Sequence, residues 1–425
     1  MPSDNALTLD QIDLSDLEFW ARPWSEREAA FRLLRRERPL AFFEEPDATA
    51  TSALAPPPGP GYRAVTRHAD VAEVSRHPEL FCSGQGAVSI LDLPPEMVEY
   101  FAGMISTDNP RHARLRRIVS AAFNPRRIKA IEENIEEVAD RVIARAAGLG
   151  ECDFVTEFSA PLPLEIICDM MGVPPSEYAT VFHATNVILS GGDPEFIPEG
   201  TDIMVAGLEA GATLTALMKE LSAARVENPT DDLTTALIST NIDGEALTHD
   251  ELASFFILLL TAGNETTRNS ISHALLALTE HPDQRALWAA DPAAIAATGV
   301  DEIVRWASPV IWMRRTVTED TVLSGEELHE GDKMLLFYNS ANRDEEAFDD
   351  PYRFDVRRSP NPHFGFGAAG PHFCLGAHLA RREIDVMMRE LLTRVPDIEA
   401  VGEPDRLHSS FINGIKHLSC RFTPA

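Results

Sequence analysis

Residues 370–376 read Gly-Pro-His-Phe-Cys-Leu-Gly, and a charged helical run, Ala-His-Leu-Ala-Arg-Arg-Glu, follows at once. Cys374 therefore sits at the tip of a predicted helix, flanked by Gly370 and Gly376 and shielded by Phe373 and Leu375. A free thiol titrates near pH 8.5, and the N–H groups and dipole of a helix start lower that value to about 3.5–7.5 by favouring the anion. The thiolate is a metal ligand or a nucleophile. A nucleophile needs a base whose ring reaches the sulfur, and His372, two residues upstream on a loop, is poorly placed for that. A ligand suits the two glycines, which let the backbone lie against a broad, rigid partner, with His372 donating to its rim. An inert packed cysteine is the third possibility.

A second group with chemical potential lies inside an apolar stretch. Thr248 and Glu251 have the Ser/Thr-x-x-Glu spacing of a capping box. No proline interrupts the run that follows until Pro282, which predicts a helix roughly 50 Å long. Its centre, AGNETTRN, puts Gly263, Glu265, Thr266 and Thr267 where leucine is expected. Glycine costs about 1 kcal/mol in a helix interior, and threonine can turn its hydroxyl onto the preceding carbonyl and bend the helix. The island is either a kink at a helix crossing or a site.

These groups need a large frame. Hydrophobic residues at 44% and charged residues at 24% are globular values, which exclude a disordered chain. Lys and Arg number 37 against 67 Asp and Glu, a net charge of −30, which excludes nucleic acid and anionic membrane as main partners. The polar, acidic N-terminus and the short apolar runs predict no leader and no integral membrane segment. The five cysteines are scattered without CxxC spacing, which argues against a disulfide framework and for a reducing, cytoplasmic setting; all but Cys374 are assigned to packing. LAFFEE and GYRAVT read as paired strands separated by PDATATSALAPPPGP, an insert looped out to solvent. Helical periodicity dominates from about Asp108 to Asp250, broken by SGGDPEFIPEG, and a last helix spans about Leu375 to Val395.

The stretch FGFGAAGPHFCLG resembles the haem-binding loop of the cytochrome P450 superfamily, the haem-thiolate monooxygenases. DNPRHARLRR (108–117), AGNETT (262–267), EIVR (302–305) and DPYRF (350–354) resemble further motifs of that family. One departure is visible: Phe366 lies 374 − 366 = 8 residues before Cys374, one more than usual, as in enzymes acting on steroids and methyl-branched lipids.

The resemblance implies a mainly α fold with small β-sheets (α+β), a triangular prism with the long helix crossing over the haem. One domain, 1–425, is expected, with a β-containing portion about 38–95 and a helical core about 105–400. The cofactor is haem b with Cys374 as metal ligand. His112, Arg116, Ala262, Gly263, Arg315, Phe366, Gly367, His372 and Gly376 complete its binding site. Glu265 and Thr266 match the catalytic acid–alcohol pair, the threonine bonding dioxygen and the glutamate relaying protons. Glu302, Arg305 and Arg353 match a structural triad. Ile90, Met104, Leu258, Val310 and Phe411 fall where the substrate pocket is lined. No flavin or nicotinamide fingerprint is present, so electrons come from a ferredoxin and its reductase, docked on the basic stretches RHARLRR, NPRRIK and LARRE. The segments PLPLEIICDMMGVP, DEIVRWASPV and FINGIKHL resemble the mycobacterial methyl-branched lipid omega-hydroxylases. The expected reaction is O2-dependent terminal hydroxylation of a methyl-branched or long-chain lipid by a monomer. A steroid side-chain hydroxylase is the alternative; a natural-product tailoring hydroxylase and a non-catalytic haem sensor come after it. The acid–alcohol pair counts against the sensor.

Overall fold

In the computed structural model, which describes residues 7–123, 125–242 and 244–424, the capping box forms as its spacing predicts. The Glu251 N–H donates to Thr248 Oγ1 at 3.2 Å, and the Thr248 N–H donates to Glu251 Oε2 at 3.0 Å. The central helix then runs 32 residues, His249–Glu280, until Pro282 starts another helix at a residue that needs no N–H. Its side chains are buried almost all round, as a helix threading a core must be. The helices Pro161–Met171, Tyr178–Leu189, Ile203–Glu227, Pro292–Ala307 and Ala377–Arg394 pack around it. Two apolar clusters result. One contains Leu214, Phe256 and Leu260, the other Phe158, Ile271, Trp288 and Met387. The polar island of the central helix falls at the boundary between them.

Short strands flank the helices: β1 (Leu40–Phe43), β2 (Tyr62–Val65), β3 (Phe81–Cys82), β4 (Glu151–Asp153), β5 (Trp312–Val317), β6 (Thr321–Leu323), β7 (Glu326–Leu328), β8 (Lys333–Phe337), β9 (Glu399–Ala400), β10 (Asp405–Arg406), β11 (Ile415–His417) and β12 (Ser419–Arg421). The largest sheet has the order β1-β2-β8-β5-β3. β1 and β2 pair antiparallel with Leu40 opposite Val65, while β2 and β8 run parallel. The sheet thus draws strands from 312–337 as well as from the expected N-terminal portion. The insert between β1 and β2 is largely exposed, as expected, but it is tethered to the frame. Ser52 is buried, the Ala53 N–H donates to Asp202 at 2.9 Å, and the Gly59 N–H donates to Glu45 at 3.0 Å.

Two ionic clusters fasten this frame. Glu302 and Arg305 have fully buried side chains and pair through two bonds of 2.7 Å. Arg305 Nη1 also donates to the carbonyls of Asn342 and Pro351, each at 2.9 Å. The third member of the expected triad is corrected here. The side chain of Arg353 is 61% exposed and lies 3.9 Å from Asp355. Arg353 turns only its carbonyl inward, to accept from Arg305 and Arg358. Arg358 is the second cation on Glu302, at 3.1 Å with 9% of its side chain exposed.

The other cluster pins the loop after Leu189 to the C-terminal strands. Lys416 lies 3.2 Å from Asp193, 3.1 Å from Glu195 and 3.6 Å from Asp405. His417 bridges Asp153 on β4, at 2.7 Å, and Glu195, at 3.1 Å. The hydrogen bond that His417 makes to Asp153 raises its pKa, burial opposes it, and the charges of Asp153 and Glu195 add to the rise.

Breaking the buried pair by Arg305→Ala should cost about 3–5 kcal/mol in urea unfolding. Arg358→Ala should follow it, whereas Arg353→Ala should stay within about 1 kcal/mol, as for exposed pairs; equal losses at 353 and 358 would restore the expected triad. Because its folded pKa lies above the unfolded value, His417 contributes stability that is full below the unfolded pKa, about 6.5, and is lost as pH rises through the folded one. Hydrogen exchange corrected for intrinsic rates should show the Asp193–Glu195 segment opening more readily as pH rises past that point. His417→Gln should abolish the trend.

Candidate active site

The cysteine loop is held by its own backbone. The Gly367 N–H donates to the Phe364 carbonyl at 2.8 Å, with Gly367 at φ +81°, a conformation glycine adopts without strain. The Cys374 N–H then donates to the Phe366 carbonyl at 3.0 Å, and the helix Ala377–Arg394 starts after Gly376. Burial pushes the Cys374 thiol up, while the N–H groups of Gly376 and Ala377 and the charges of Arg116 and Arg381 pull it down. Burial outweighs them, so the thiol ends above its ordinary value, not below it as a helix tip alone predicts. Protein encloses the sulfur closely enough to desolvate it, yet the residue keeps accessible surface, which therefore opens on a recess. A side chain on Gly376 would meet nothing within 4 Å. Gly370 differs from expectation: a Cβ there would stand 2.3 Å from the Ser75 carbonyl, so it accommodates the neighbouring backbone.

On the central helix, Ala262 is exposed and Gly263 and Thr266 are half-buried, although most of that helix is covered. Positions 262 and 266 lie one turn apart on the same face. Thr266 donates from Oγ1 to the Ala262 carbonyl at 2.7 Å, the back-bond foreseen for this position. A Cβ on Gly263 would come within 3.1 Å of Ile167, so the glycine also serves helix packing. Glu265 does not face Thr266. Its carboxylate is buried, ion-paired with Arg268, and accepts from Asn269 Nδ2 at 2.8 Å. Arg268 in turn reaches Asn186 on the helix Tyr178–Leu189 at 3.0 Å. Arg268 follows Glu265 at i+3, a pairing visible in the sequence.

Beside the cysteine loop lie His112, Arg116, Arg315 and His372. The two imidazoles are 4.2 Å apart. Burial lowers the His372 pKa to about 3, with Arg315, His112 and Arg116 adding to the effect. Burial followed by Arg116 also lowers that of His112. Arg116 donates to the carbonyls of Pro371 and Phe373 at 3.0 and 2.8 Å, and Arg315 to that of Arg314 at 2.7 Å. Among the described residues neither has a carboxylate partner, and the buried Nε2 of His112 has no hydrogen-bond partner. Asp108, the nearby acid, is occupied by the N–H groups of Ser83 and Gly84. Arg314 pairs instead with Asp92 at 2.9 Å, which singles out Arg315. Two arginines without acid partners, a buried imidazole nitrogen without a hydrogen-bond partner and a thiol with open surface fit a flat cofactor that carries carboxylates and a thiol-seeking metal.

The other expected residues are less gathered. Phe366 packs under Arg381, whose guanidinium stands 4.3 Å from the ring and which was not foreseen. Met104 and Leu258 share one apolar cluster, Ile90 and Phe411 pack on a second, and Val310 on a third. The basic stretches do not form an unopposed patch. Arg114 pairs with Glu251, Arg117 with Glu245, Arg126 and Arg127 with Asp231, Arg381 with Asp301, and Arg382 with Glu136.

Helices around a capped central one, a thiol at a helix tip and an anion-seeking rim define a haem-thiolate class of site. The cytochrome P450 family model matches residues 209–287 and 297–413. A methyl-branched lipid omega-hydroxylase of Mycobacterium tuberculosis is 48% identical over 410 residues, 96% of this chain and 94% of that protein. A steroid C26-monooxygenase of Mycolicibacterium smegmatis is 39% identical over 396 residues, covering 92% and 90% of the two chains. The structure of a Mycobacterium marinum cytochrome P450 in complex with pseudoionone superposes with a TM-score of 0.91 at 41% identity, covering 98% of this chain and 100% of that one. The chain belongs to the cytochrome P450 family: it is a haem-dependent monooxygenase with cysteine-thiolate ligation. Among the described residues no helix is long and apolar enough to cross a membrane.

Proposed function

We propose that the chain hydroxylates the terminal carbon of a methyl-branched or long-chain lipid, with Cys374 as the residue whose thiolate would bind the haem iron. What carries the substrate class is the 48% identity, spread over 96% of the chain, to proteins described as methyl-branched lipid omega-hydroxylases. A steroid side chain is the second reading, supported by the 39% identity to steroid C26-monooxygenases. Both substrates present a methyl end on an apolar body, and a primary C–H bond is attacked only when the pocket fixes that end by orientation.

The thiolate-ligated haem supplies the oxygen activation that inserts one oxygen atom into an unactivated C–H bond. The protein's part is electrostatic and positional. The N–H groups of Gly376 and Ala377, with Arg116 and Arg381, stabilise negative charge on Cys374 against the cost of burial. His112, Arg116, Arg315 and His372 would hold the carboxylates of the cofactor. Thr266 carries a proton on Oγ1 that can turn from the Ala262 carbonyl, 2.7 Å away, into the recess. Glu265 delivers a proton only by leaving Arg268 and Asn269, so the acid–alcohol pair works through a side-chain swing. Electrons come from a separate iron–sulfur protein. With its arginines paired internally, the docking face selects that partner by shape and matched ion pairs more than by a positive field.

The reduced holoenzyme under carbon monoxide should show the strongly red-shifted Soret band of thiolate-ligated haem, and Cys374→Ser should lose it. In Thr266→Ala, reductant consumption should persist while product falls at least tenfold and hydrogen peroxide is released, since positioned proton transfer contributes about 10²–10⁴-fold; unchanged coupling removes Thr266 from this role. Titration with methyl-branched acids, straight-chain acids and steroids, followed by the Soret shift, assigns the substrate. A response to steroids alone favours the second reading.

A further inference from the structure

Two thiols that play no part in this chemistry stand face to face in a sheet. Cys152 on β4 and Cys420 on β12 are direct partners in an antiparallel pair, with their sulfurs 3.6 Å apart. Two residues to either side, the Phe154 N–H donates to the Leu418 carbonyl and the Phe422 N–H to the Gly150 carbonyl, each at 2.8 Å. Antiparallel pairs alternate, so Cys152 and Cys420 belong to the same hydrogen-bonded set, whose Cα atoms lie about 5.5 Å apart. That spacing is within the range of disulfides, roughly 4.4–6.8 Å. The Cβ atoms of such a pair stand about 5 Å apart, wider than the roughly 3.5–4.5 Å of a disulfide, so closing the sulfurs from 3.6 Å to bonding distance takes side-chain rotation and a small approach of the two strands.

Access to the two sulfurs is unequal. Cys152 is half-buried, whereas Cys420 is fully buried behind it. An oxidant small enough to enter reaches Cys152 first, and the nearest group able to attack the oxidised sulfur is Cys420. Burial pushes both thiols up, which makes the pair slow to react compared with an exposed sensor cysteine.

We propose that Cys152 and Cys420 are a redox modification site, converted by hydrogen peroxide or a similarly small hydroperoxide into an intramolecular disulfide. In the first step the Cys152 sulfur attacks the peroxide O–O bond, giving a sulfenic acid and one water. In the second, the Cys420 sulfur displaces the sulfenic hydroxyl, which leaves as water with the Cys420 proton. Two thiols thus lose two electrons and two protons, and one peroxide becomes two waters. The bond links positions 420 − 152 = 268 residues apart and ties the C-terminal strand to the entry of the helix Pro161–Met171. A cross-link closing so long a loop restricts the unfolded chain and raises stability.

The test uses the ferric holoenzyme, in which Cys374 is occupied by the haem, treated with excess hydrogen peroxide and then denatured and alkylated. The treated protein should lose two alkylatable thiols and yield a cross-linked peptide pair containing residues 152 and 420, reversed by dithiothreitol. Its unfolding midpoint should rise, and Cys152→Ser should show neither change. In Cys420→Ala the reaction should stop at a sulfenic acid on Cys152, trapped by dimedone, which the wild type does not accumulate. Alkylation at both 152 and 420 after treatment, a cross-link to any other cysteine, or a lasting Cys152 sulfenic acid in the wild type would each overturn the proposal. Should Cys420→Ala fail to fold, the wild-type map and Cys152→Ser still decide.

Discussion

A carboxylate and a guanidinium with no exposure to water must satisfy each other and every remaining donor, or the fold loses several kcal/mol. Glu302 and Arg305 meet that demand with partners spread along 342–361. Asn342, whose carbonyl accepts from Arg305, uses its side chain to accept the Phe364 N–H at 2.6 Å and to donate to Ser308 at 2.9 Å. Phe364 opens the loop that ends at Cys374. The ion pair therefore sets where the thiol can stand, although neither charge touches it. A displaced Glu302 would shift a whole segment of backbone before it changed any chemistry.

The central helix meets a second constraint. Two apolar clusters grip its ends, and between them all residues but Ala262, Gly263 and Thr266 are buried. Small and hydroxyl-bearing residues stand at those three positions. The acid and the alcohol, adjacent in sequence, are nevertheless separated in space. One turns to the recess and the other to Arg268 and the helix Tyr178–Leu189. Any route for protons between them has to include a change in that ion pair, which joins events at the recess to a helix on the far side of Glu265.

Features encoded by near neighbours were legible in the sequence: the capping box, the β1–β2 pair, the loop–helix junction at Cys374 and the back-bond of Thr266. Those set by distant partners were not. Arg353 and Arg358 are both arginines within a few residues of a turn, and only the buried position of Glu302 selects the second. Gly370 looked like a cofactor contact because nothing local reveals the carbonyl of Ser75. The Pro- and Ala-rich insert has the composition of a free loop, but Asp202, far along the chain, provides an acceptor for its backbone. The arginine runs read as a basic patch because their carboxylate partners come from distant helices and loops. A pattern of residue types reports which groups are available, and long-range packing decides which of them stay free.

The gathering of His112, Arg116, Arg315 and His372 without acids has a thermodynamic meaning beyond the site. Burial disfavours the charged form of both imidazoles, but the guanidiniums of Arg116 and Arg315 remain charged in a low-dielectric rim, so this corner of the polypeptide lacks a counter-ion until one arrives. A dianion that enters only the folded form shifts the folding balance by mass action, more strongly as its free concentration exceeds its dissociation constant. Cofactor supply during biosynthesis thereby becomes a control on how much native polypeptide accumulates, and cells short of the tetrapyrrole would be left with chains exposed to proteolysis.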